Sequence, residues 1–480
     1  MVRKEVVLNY IGKILIIIGI AMLTSLIWAI YFGEPVFKSI LSGAAITIFF
    51  GILLSYIYRH NYEINYREGF AIVTLGWLSA SLFGSLPFVF SGYFPTFADA
   101  FFETVSGFTT TGASILIDIE ALPYSLLFWR SLTQWLGGMG IMVLFVAIIA
   151  SMGVRANQLF RAEIPGGAMS EKLSPRIRET AKLLWITYVI LSLILFIFLI
   201  SFGMNIFDAL CHTFTTMATG GFSTKNESIA FYNAQIQWII IVFMFLAGAN
   251  FSLYYFAYKN RTLKRIWQNS EFKIYTCIVL VAAFLVFISL KTIPDYEERI
   301  RTSLFQVVSI LTTTGFATAD YEKWNPLGQS VIFLLMFIGG CAGSTAGNIK
   351  VGRYMIMLKR VKIELEQMLH PKALISLRFE DKVLSNNLVI NVLQYFFLYI
   401  ILVLVSTLIL AALDVDRITS FTASLSCISN IGPGFGIVGP TENYSHIPYL
   451  GKYILSILML IGRLEIYPAL ILFMPTYWKE

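Results

Sequence analysis

Charge is scarce in this chain. Of its 480 residues, 13% are Asp, Glu, Lys or Arg, while 57% are hydrophobic. A soluble protein carries about 25% charged residues, so the composition excludes a water-soluble globular fold and predicts a polytopic membrane protein. Histidine is almost as rare. The four histidines, His60, His212, His370 and His446, share no motif, and a membrane enzyme would need clustered catalytic groups at depth. No enzymatic activity is expected. The four cysteines, Cys211, Cys277, Cys341 and Cys427, lack metal-ligand spacing and read as small residues in helix packing. No small-residue cleavage site accompanies the first apolar run, 11–31, which therefore reads as a retained span.

What the chain has instead is a pattern repeated four times. Thr302–Ala319 reads TSLFQVVSILTTTGFATA, a mostly apolar stretch that ends in a Thr-Gly turn. It is too short to cross a bilayer, which takes roughly 20 helical residues. A re-entrant helix that stops midway and returns as extended backbone is expected. Such backbone survives at membrane depth only inside protein or along a water-filled path. Asp99–Ser114 (DAFFETVSGFTTTGAS), Asp208–Thr224 (DALCHTFTTMATGGFST) and Thr419–Gly436 (TSFTASLSCISNIGPGFG) repeat the pattern. Aligned on Gly112, Gly220, Gly315 and Gly432, the copies open 13, 12, 13 and 13 residues upstream. The opening residues Asp99, Asp208, Thr302 and Thr419 are all helix N-cap types. The glycines lie 108, 95 and 117 residues apart, a loose internal repeat.

Ten spans are expected, near 11–31, 36–58, 68–91, 124–150, 178–203, 231–257, 272–292, 326–358, 386–413 and 449–474. The half-spans fall between spans three and four, five and six, seven and eight, and nine and ten. The fold expected is an all-α polytopic membrane protein with four helix–pore loop–helix repeats around a pseudo-fourfold ion pore. Residues 1–62 form two extra N-terminal transmembrane helices. The repeats occupy 63–160, 161–265, 266–370 and 371–480. Of the 35 basic residues, twenty-five fall on the proposed cytoplasmic side and eight outside, with Arg130 and Arg463 inside spans. That excess places both termini in the cytoplasm and all four pore loops on the outer side. The inner loops 151–183, 258–273 and 350–382 hold nineteen of the twenty-five. They read as orientation signals and a docking face, and no nucleic-acid partner is expected of short loops pressed against a bilayer.

Four loops around one axis can offer a dehydrating cation rings of carbonyl oxygens. The expected lining is Thr110, Thr111 and Gly112; Ala218, Thr219 and Gly220; Thr313, Thr314 and Gly315; and Asn430, Ile431 and Gly432. Half-helix C-termini pointing at the axis add partial negative charge. One TTTG would mean little, because Thr and Gly are common in membrane helix packing. Four copies between paired spans point to a filter.

The motifs SGFTTTGAS (106–114), WRSLTQWLGGMGIMV (129–143), TFTTMATGGFST (213–224), LTTTGFATADY (311–321), GGCAGSTAGNIKVGR (339–353), NIGPGFG (430–436) and IGRLEIYP (461–468) resemble the Trk/Ktr/HKT superfamily of potassium transporters. The TrkH-type membrane subunit is the nearest likeness, and it covers the whole chain. The resemblance implies a homodimer in a prokaryotic plasma (inner) membrane. It implies potassium as the transported ion, no organic cofactor, and a cytosolic ring of nucleotide-binding regulatory subunits of TrkA type. Some sodium-conducting plant members carry serine at the first filter glycine. Here it is Gly112, so potassium preference is expected. The fourth loop departs from the Thr-Gly pattern with Asn430-Ile431 and Pro433, so the fourfold symmetry is approximate.

Segment 337–351, FIGGCAGSTAGNIKV, interrupts span eight with Gly339, Gly340, Gly343 and Gly347 beside Ser344 and Thr345. Each glycine costs a helix about 1 kcal/mol against alanine, so the span should break. Close packing through small residues is one reading. The resemblance favours an intramembrane gating loop, running to Lys350. Arg463, inside span ten, is a functional candidate by default, expected to hydrogen-bond that loop and repel cations. Arg130 reads as an interfacial anchor and His212 as a packed polar residue. The competing transport mechanism is a symporter coupled to sodium or protons, but such carriers usually show inverted repeats and a buried acid. Here the repeats share one orientation.

Overall fold

The computed structural model describes residues 2–59, 64–140, 177–371, 373, 375–379 and 382–479. Two helices, Lys4–Tyr31 and Phe37–Ile57, precede the repeats. They pack backbone to backbone: a β-carbon on Gly12 would lie 2.7 Å from the Gly51 carbonyl oxygen. Small residues permit this approach in a membrane. Arg3 pairs with Glu68 at 2.6 Å and fastens the pair to the first repeat.

Each repeat then runs span helix, pore helix, loop, second helix. The span helices are Tyr66–Gly84 (continued by Leu86–Ser91), Ile177–Ser201, Ser270–Ser289 and Asn386–Ala412. The pore helices are Phe97–Phe108, Ile206–Met217, Tyr296–Leu311 and Arg417–Ser429. The second helices begin at Tyr124, Ala234, Pro326 and Tyr449. Burial separates the roles. Helix Asn386–Ala412 buries a stripe at Val389, Val392, Tyr395, Tyr399, Val403, Ser406 and Leu410 and leaves the rest outward, as a helix between core and lipid should. The first pore helix is buried along its whole length after Phe97, which places it in the core. A short pairing, Arg378↔Val383 and Phe379↔Lys382, interrupts the helical architecture.

The four pore helices are capped, but not where the sequence pointed. The N-caps are Thr96, Asn205, Asp295 and Asp416. Asp99, Asp208 and Thr419 are third residues of their helices, and donate backbone N–H to Thr96, Asn205 and Asp416. Thr302 lies deeper, because the third pore helix starts near the acidic surface residues Glu297 and Glu298. Capping needs an acceptor where the first free N–H groups occur, and several polar residues compete for that place.

Of the ten expected spans, six are single helices long and apolar enough to cross a membrane among the described residues. Two more are bent pairs. Ala234–Ala247 meets Phe251–Asn260 at 91°, and Tyr449–Arg463 meets Tyr467–Phe473 at 118°. Neither bend was expected. At the first, the Ala247 and Gly248 carbonyls accept N–H groups from Thr345 and Cys341 instead of from their own helix. At the second, Glu465 and Ile466 take φ of +56° and +66° just before Pro468. Span four is seen as Tyr124–Trp135 and a π-turn to Gly140; its remainder, 141–150, lies outside the described residues, as do 151–176 of the first basic loop. Span eight breaks as expected, after Pro326–Leu335, and resumes at Val351.

Candidate functional site

The four pore helices end in one conformation. Thr110, Thr219, Thr313 and Asn430 all sit in the left-handed region, at φ of +53°, +54°, +56° and +55°. The next residue donates its N–H back across the turn: Thr111 to Ser106, Gly220 to Thr215, Thr314 to Ser309, and Ile431 to Ser426, at 2.8–3.0 Å. This is a Schellman closure with the left-handed residue one past the cap. Threonine, being β-branched, rarely adopts that region. Each such residue stores about 1–3 kcal/mol, kept only where the surroundings over-determine it.

A glycine follows two residues later: Gly112, Gly221, Gly315 and Gly432, with φ of +80°, +79°, +78° and +106°. The second-repeat glycine is therefore Gly221, not Gly220. Gly220 falls level with Thr111, Thr314 and Ile431. Ala218 falls level with Thr109 and Thr312, the caps beneath the turn, and with Ser429, the last residue of its helix. With Gly221 as reference, Asp208 lies 13 residues upstream, like the other three openings.

These glycines close a ring. A β-carbon on Gly112 would meet the Gly220 carbonyl oxygen at 2.1 Å. One on Gly221 would meet that of Thr314 at 1.9 Å, one on Gly315 that of Ile431 at 2.0 Å, and one on Gly432 that of Thr111 at 2.7 Å. Each loop abuts the next in chain order, and the fourth returns to the first. The side chain of Asn430 spans the same seam, donating to Thr111 Oγ1 at 3.0 Å and the Met459 carbonyl at 3.0 Å. A basin of about 160 Å³ opens outward from the ring, with all four glycines in its wall.

Side chains from the first repeat brace the second loop. Gln134 donates to the Gly220 carbonyl at 2.7 Å and accepts from Phe222 N–H at 3.1 Å. Arg130 donates to the Ser223 carbonyl at 2.9 Å and lies 3.5 Å over the Phe222 ring. Its Nε pairs with Glu103 at 2.6 Å, and both side chains are almost wholly buried. Glu103 also accepts from Ser114 Oγ and Ile115 N–H. Arg130 is thus a core brace, and the interfacial anchor expected of it is corrected: its partner acid, twenty-seven residues earlier, draws it inward. Glu103 and Gln134 escaped the sequence reading. An acid within an apolar half-helix, and a glutamine four residues after Arg130 on the same helix face, were the available signals. Lys452, counted among the outer charges, is likewise buried, on Asp99 at 2.6 Å. His212 is packed, with its ring nitrogens on the Asp208 carbonyl and Ser223 Oγ.

Beneath the ring lies segment 337–351, without helical structure between Met336 and Lys350. It touches the second and fourth repeats and the pore loop of its own, the third, and Arg463 links it to the first. Gly347 N–H donates to Thr313 Oγ1 at 2.7 Å. Thr345 Oγ1 donates to the Met217 and Ala247 carbonyls. Arg463 reaches from the fourth repeat to the Thr345 carbonyl at 2.8 Å, and to those of Gly137 and Gly138 at 2.8 and 3.0 Å. Lys350 is buried, with its ammonium on the carbonyls of Ala346 and Gly347. Glu271, also not singled out by the sequence, accepts N–H groups from Ala342 within the segment at 2.9 Å and from Gly352 just past it at 2.8 Å. Gly339 and Gly340 lie against backbone: a β-carbon there would meet the carbonyls of Gly347 and Gly248 at 2.3 and 2.4 Å. Gly343 turns at φ +76° and its carbonyl takes Phe251 N–H, while Ser344 caps locally on Cys341.

Comparison with known proteins agrees with this architecture. The family model described as TrkH, cation transport protein, matches residues 37–480. The Trk system potassium uptake protein TrkH of Salmonella typhimurium is 40% identical over 429 residues, covering 88% of each chain. That of Halomonas elongata is 36% identical over 483 residues, covering 99% of each. The crystal structure of the potassium transporter TrkH from Vibrio parahaemolyticus superimposes with a TM-score of 0.90 at 31% identity, over 99% of this chain and all of the other.

Proposed function

This chain belongs to the TrkH family of cation transport proteins, and from that premise we propose that it takes up potassium through the four-loop ring, with segment 337–351 as the gate. Potassium uptake is the activity named for its relatives. The observation that carries the reading is the closed ring of glycine-to-carbonyl contacts directly above a non-helical segment bonded to the second, third and fourth repeats, and through Arg463 to the first. A potassium ion entering the ring must exchange water for fixed oxygens, and backbone carbonyls supply them. The pore-helix C-termini add negative potential at the same point. Among the described residues, Thr110 Oγ1 and Asn430 Oδ1, buried at the base of the turns, have no hydrogen-bond partner, which supports a hydrated ion meeting them there.

The gate acts by position and charge. Gly347 sits against the underside of the ring, and Arg463 brings a fixed cation to the same segment. At an effective dielectric of about 20, unit charges 4 Å apart interact by roughly 4 kcal/mol. A barrier of that size slows passage about a thousandfold. The proposal includes what the family likeness implies for assembly. The protein is a homodimer in a prokaryotic inner membrane, with both termini cytoplasmic and the ring facing outward. A cytosolic nucleotide-binding ring of TrkA type docks on the basic inner loops and moves the segment. Rubidium uptake into liposomes holding the full-length protein alone tests this. Deleting Gly343–Gly347, or Arg463→Ala, should raise uptake driven by the potassium gradient. Unchanged or lower uptake in folded variants overturns the gate. Uptake that follows a sodium or proton gradient instead of the potassium gradient replaces the pore with coupled symport.

A further inference from the structure

The fourth loop departs from the other three at its glycine. Gly112, Gly221 and Gly315 have φ between +78° and +80° and are half-exposed to the outer basin, whereas Gly432 has φ +106° and is buried. The sequence supplies the cause. Pro433 follows Gly432, while Ala113, Phe222 and Phe316 follow the others. A proline ring restricts the backbone of the residue before it.

The carbonyls differ accordingly. Among the described residues, no group donates to the carbonyls of Gly112, Gly221 or Gly315. The Gly432 carbonyl accepts two hydroxyls, Tyr444 Oη at 2.7 Å and Ser426 Oγ at 2.8 Å. The three residues level with Ser426 do something else. Ser309 donates to the Phe316 carbonyl, Thr215 bonds back along its own helix, and Ser106 Oγ has no partner among the described residues. Tyr444 is itself held in place. Its N–H donates to the Ser114 carbonyl at 2.8 Å, and its ring packs on Phe102 at 5.4 Å between centroids.

We infer that Tyr444, assisted by Ser426, is a specificity-determining positioning residue that turns the Gly432 carbonyl into the wall. The outermost ring then offers an ion three carbonyls instead of four. The inference rests on the filter reading given above. Preference for potassium over sodium depends on the number and field strength of coordinating carbonyls. A ring short of one carbonyl completes the ion's shell with water and discriminates less. The hydroxyl of Tyr444 therefore holds the discrimination of this protein below what a full ring would reach.

Reversal potentials of the full-length protein in bilayers, under opposed potassium and sodium gradients, test this. Tyr444→Phe keeps the ring on Phe102 and removes only the hydroxyl; Ser426→Ala removes the second donor. The potassium-to-sodium permeability ratio should rise in each, and by about threefold or more in the pair, the equilibrium effect of one net hydrogen bond. A merely structural role would lower flux without raising the ratio. Gly112→Ser is the control for the filter itself. A ratio in the pair at or below the wild-type value, with Gly112→Ser shifted, overturns the role of Tyr444 and leaves the filter. A ratio unmoved in all variants overturns both. Should Tyr444→Phe not fold, Ser426→Ala alone must still raise the ratio, and no rise overturns the inference.

Discussion

Replacing Gly112 by serine puts a carbon where the neighbouring loop already has an oxygen. The β-carbon would stand 2.1 Å from the Gly220 carbonyl oxygen, where ordinary contact begins at 3.4 Å. The two must part by more than about 1 Å, well beyond the few tenths that close packing absorbs. Retreat of the carbonyl is blocked from behind, because Gln134 donates to the same oxygen at 2.7 Å and holds Phe222 N–H at 3.1 Å. The serine must also keep φ near +80°, which costs an L-residue roughly 1–2 kcal/mol. The Gly220 carbonyl should leave its place in the ring. A bond from a carbonyl to a charged group is worth about 1.5–3 kcal/mol, and 1.4 kcal/mol is tenfold in an equilibrium. Even if sodium recovers part of that loss through water, the potassium-to-sodium permeability ratio should fall by about tenfold. Reversal potentials in liposome-fused bilayers measure it. The double variant Gly112→Ser/Gln134→Ala lets the carbonyl move back, so it should regain thermal stability without regaining the ratio. A folded, conducting Gly112→Ser protein with the wild-type ratio would refute the reasoning.

Two further outcomes follow from the same geometry, and a third from the basic inner loops read in the sequence. Gly221→Ala meets backbone at 1.9 Å with φ at +79°, whereas Gly220→Ala meets the Gln134 side chain at 2.4 Å. Rubidium flux should therefore collapse in Gly221→Ala and recover for Gly220→Ala when Gln134→Ala is added; equal damage from both glycines would undo the register assigned to the second loop. Glu103→Gln should leave the Arg130 charge buried without its counterion, lowering stability by roughly 3–5 kcal/mol, while Glu103→Met with Arg130→Met should cost less; thermal unfolding in detergent measures this, and a single variant as stable as wild type rules out the brace. Pull-down of a nucleotide-binding ring protein should weaken when Arg176, Arg178, Lys359 and Arg360 become alanine; undiminished capture would confine those charges to topology.

The half-helices, the N-terminal pair and the break in span eight were legible in sequence, because each is set by local length, apolarity and glycine content. The bends near Gly248 and Glu465 were not. The first has its cause across the chain, where N–H groups of Cys341 and Thr345 take carbonyls that a straight helix would have used, and the second rests on the left-handed turn of Glu465 and Ile466, residue types that do not announce one. Arg130 was misread for a similar reason. A lone arginine near a span end fits an interfacial anchor until Glu103 is seen 2.6 Å away. Arg463 was read with its contact to the glycine segment, but its second hold, on Gly137 and Gly138 of the first repeat, has no trace in local sequence.

The one-residue error in the second loop shows what is repeated. By letters, the repeat is Thr-Thr-Gly, and MATGG then aligns on its first glycine while the Asn-Ile-Gly of the fourth loop looks foreign. By conformation, the repeat is a left-handed residue, then one that contributes a carbonyl, then a left-handed glycine. Asn430 satisfies the first place better than threonine does, since asparagine tolerates the left-handed region. Ile431 satisfies the second, because only its carbonyl faces Gly315. The spacing already carried the correction: 12 residues from Asp208 to Gly220, against 13 in every other copy. The caps Thr96, Asn205 and Asp416 each lie 16 residues before Gly112, Gly221 and Gly432, so on Gly221 the second copy matches the first and fourth, and only the third is longer. The spacing was therefore the stronger signal, and the matching letters the weaker one.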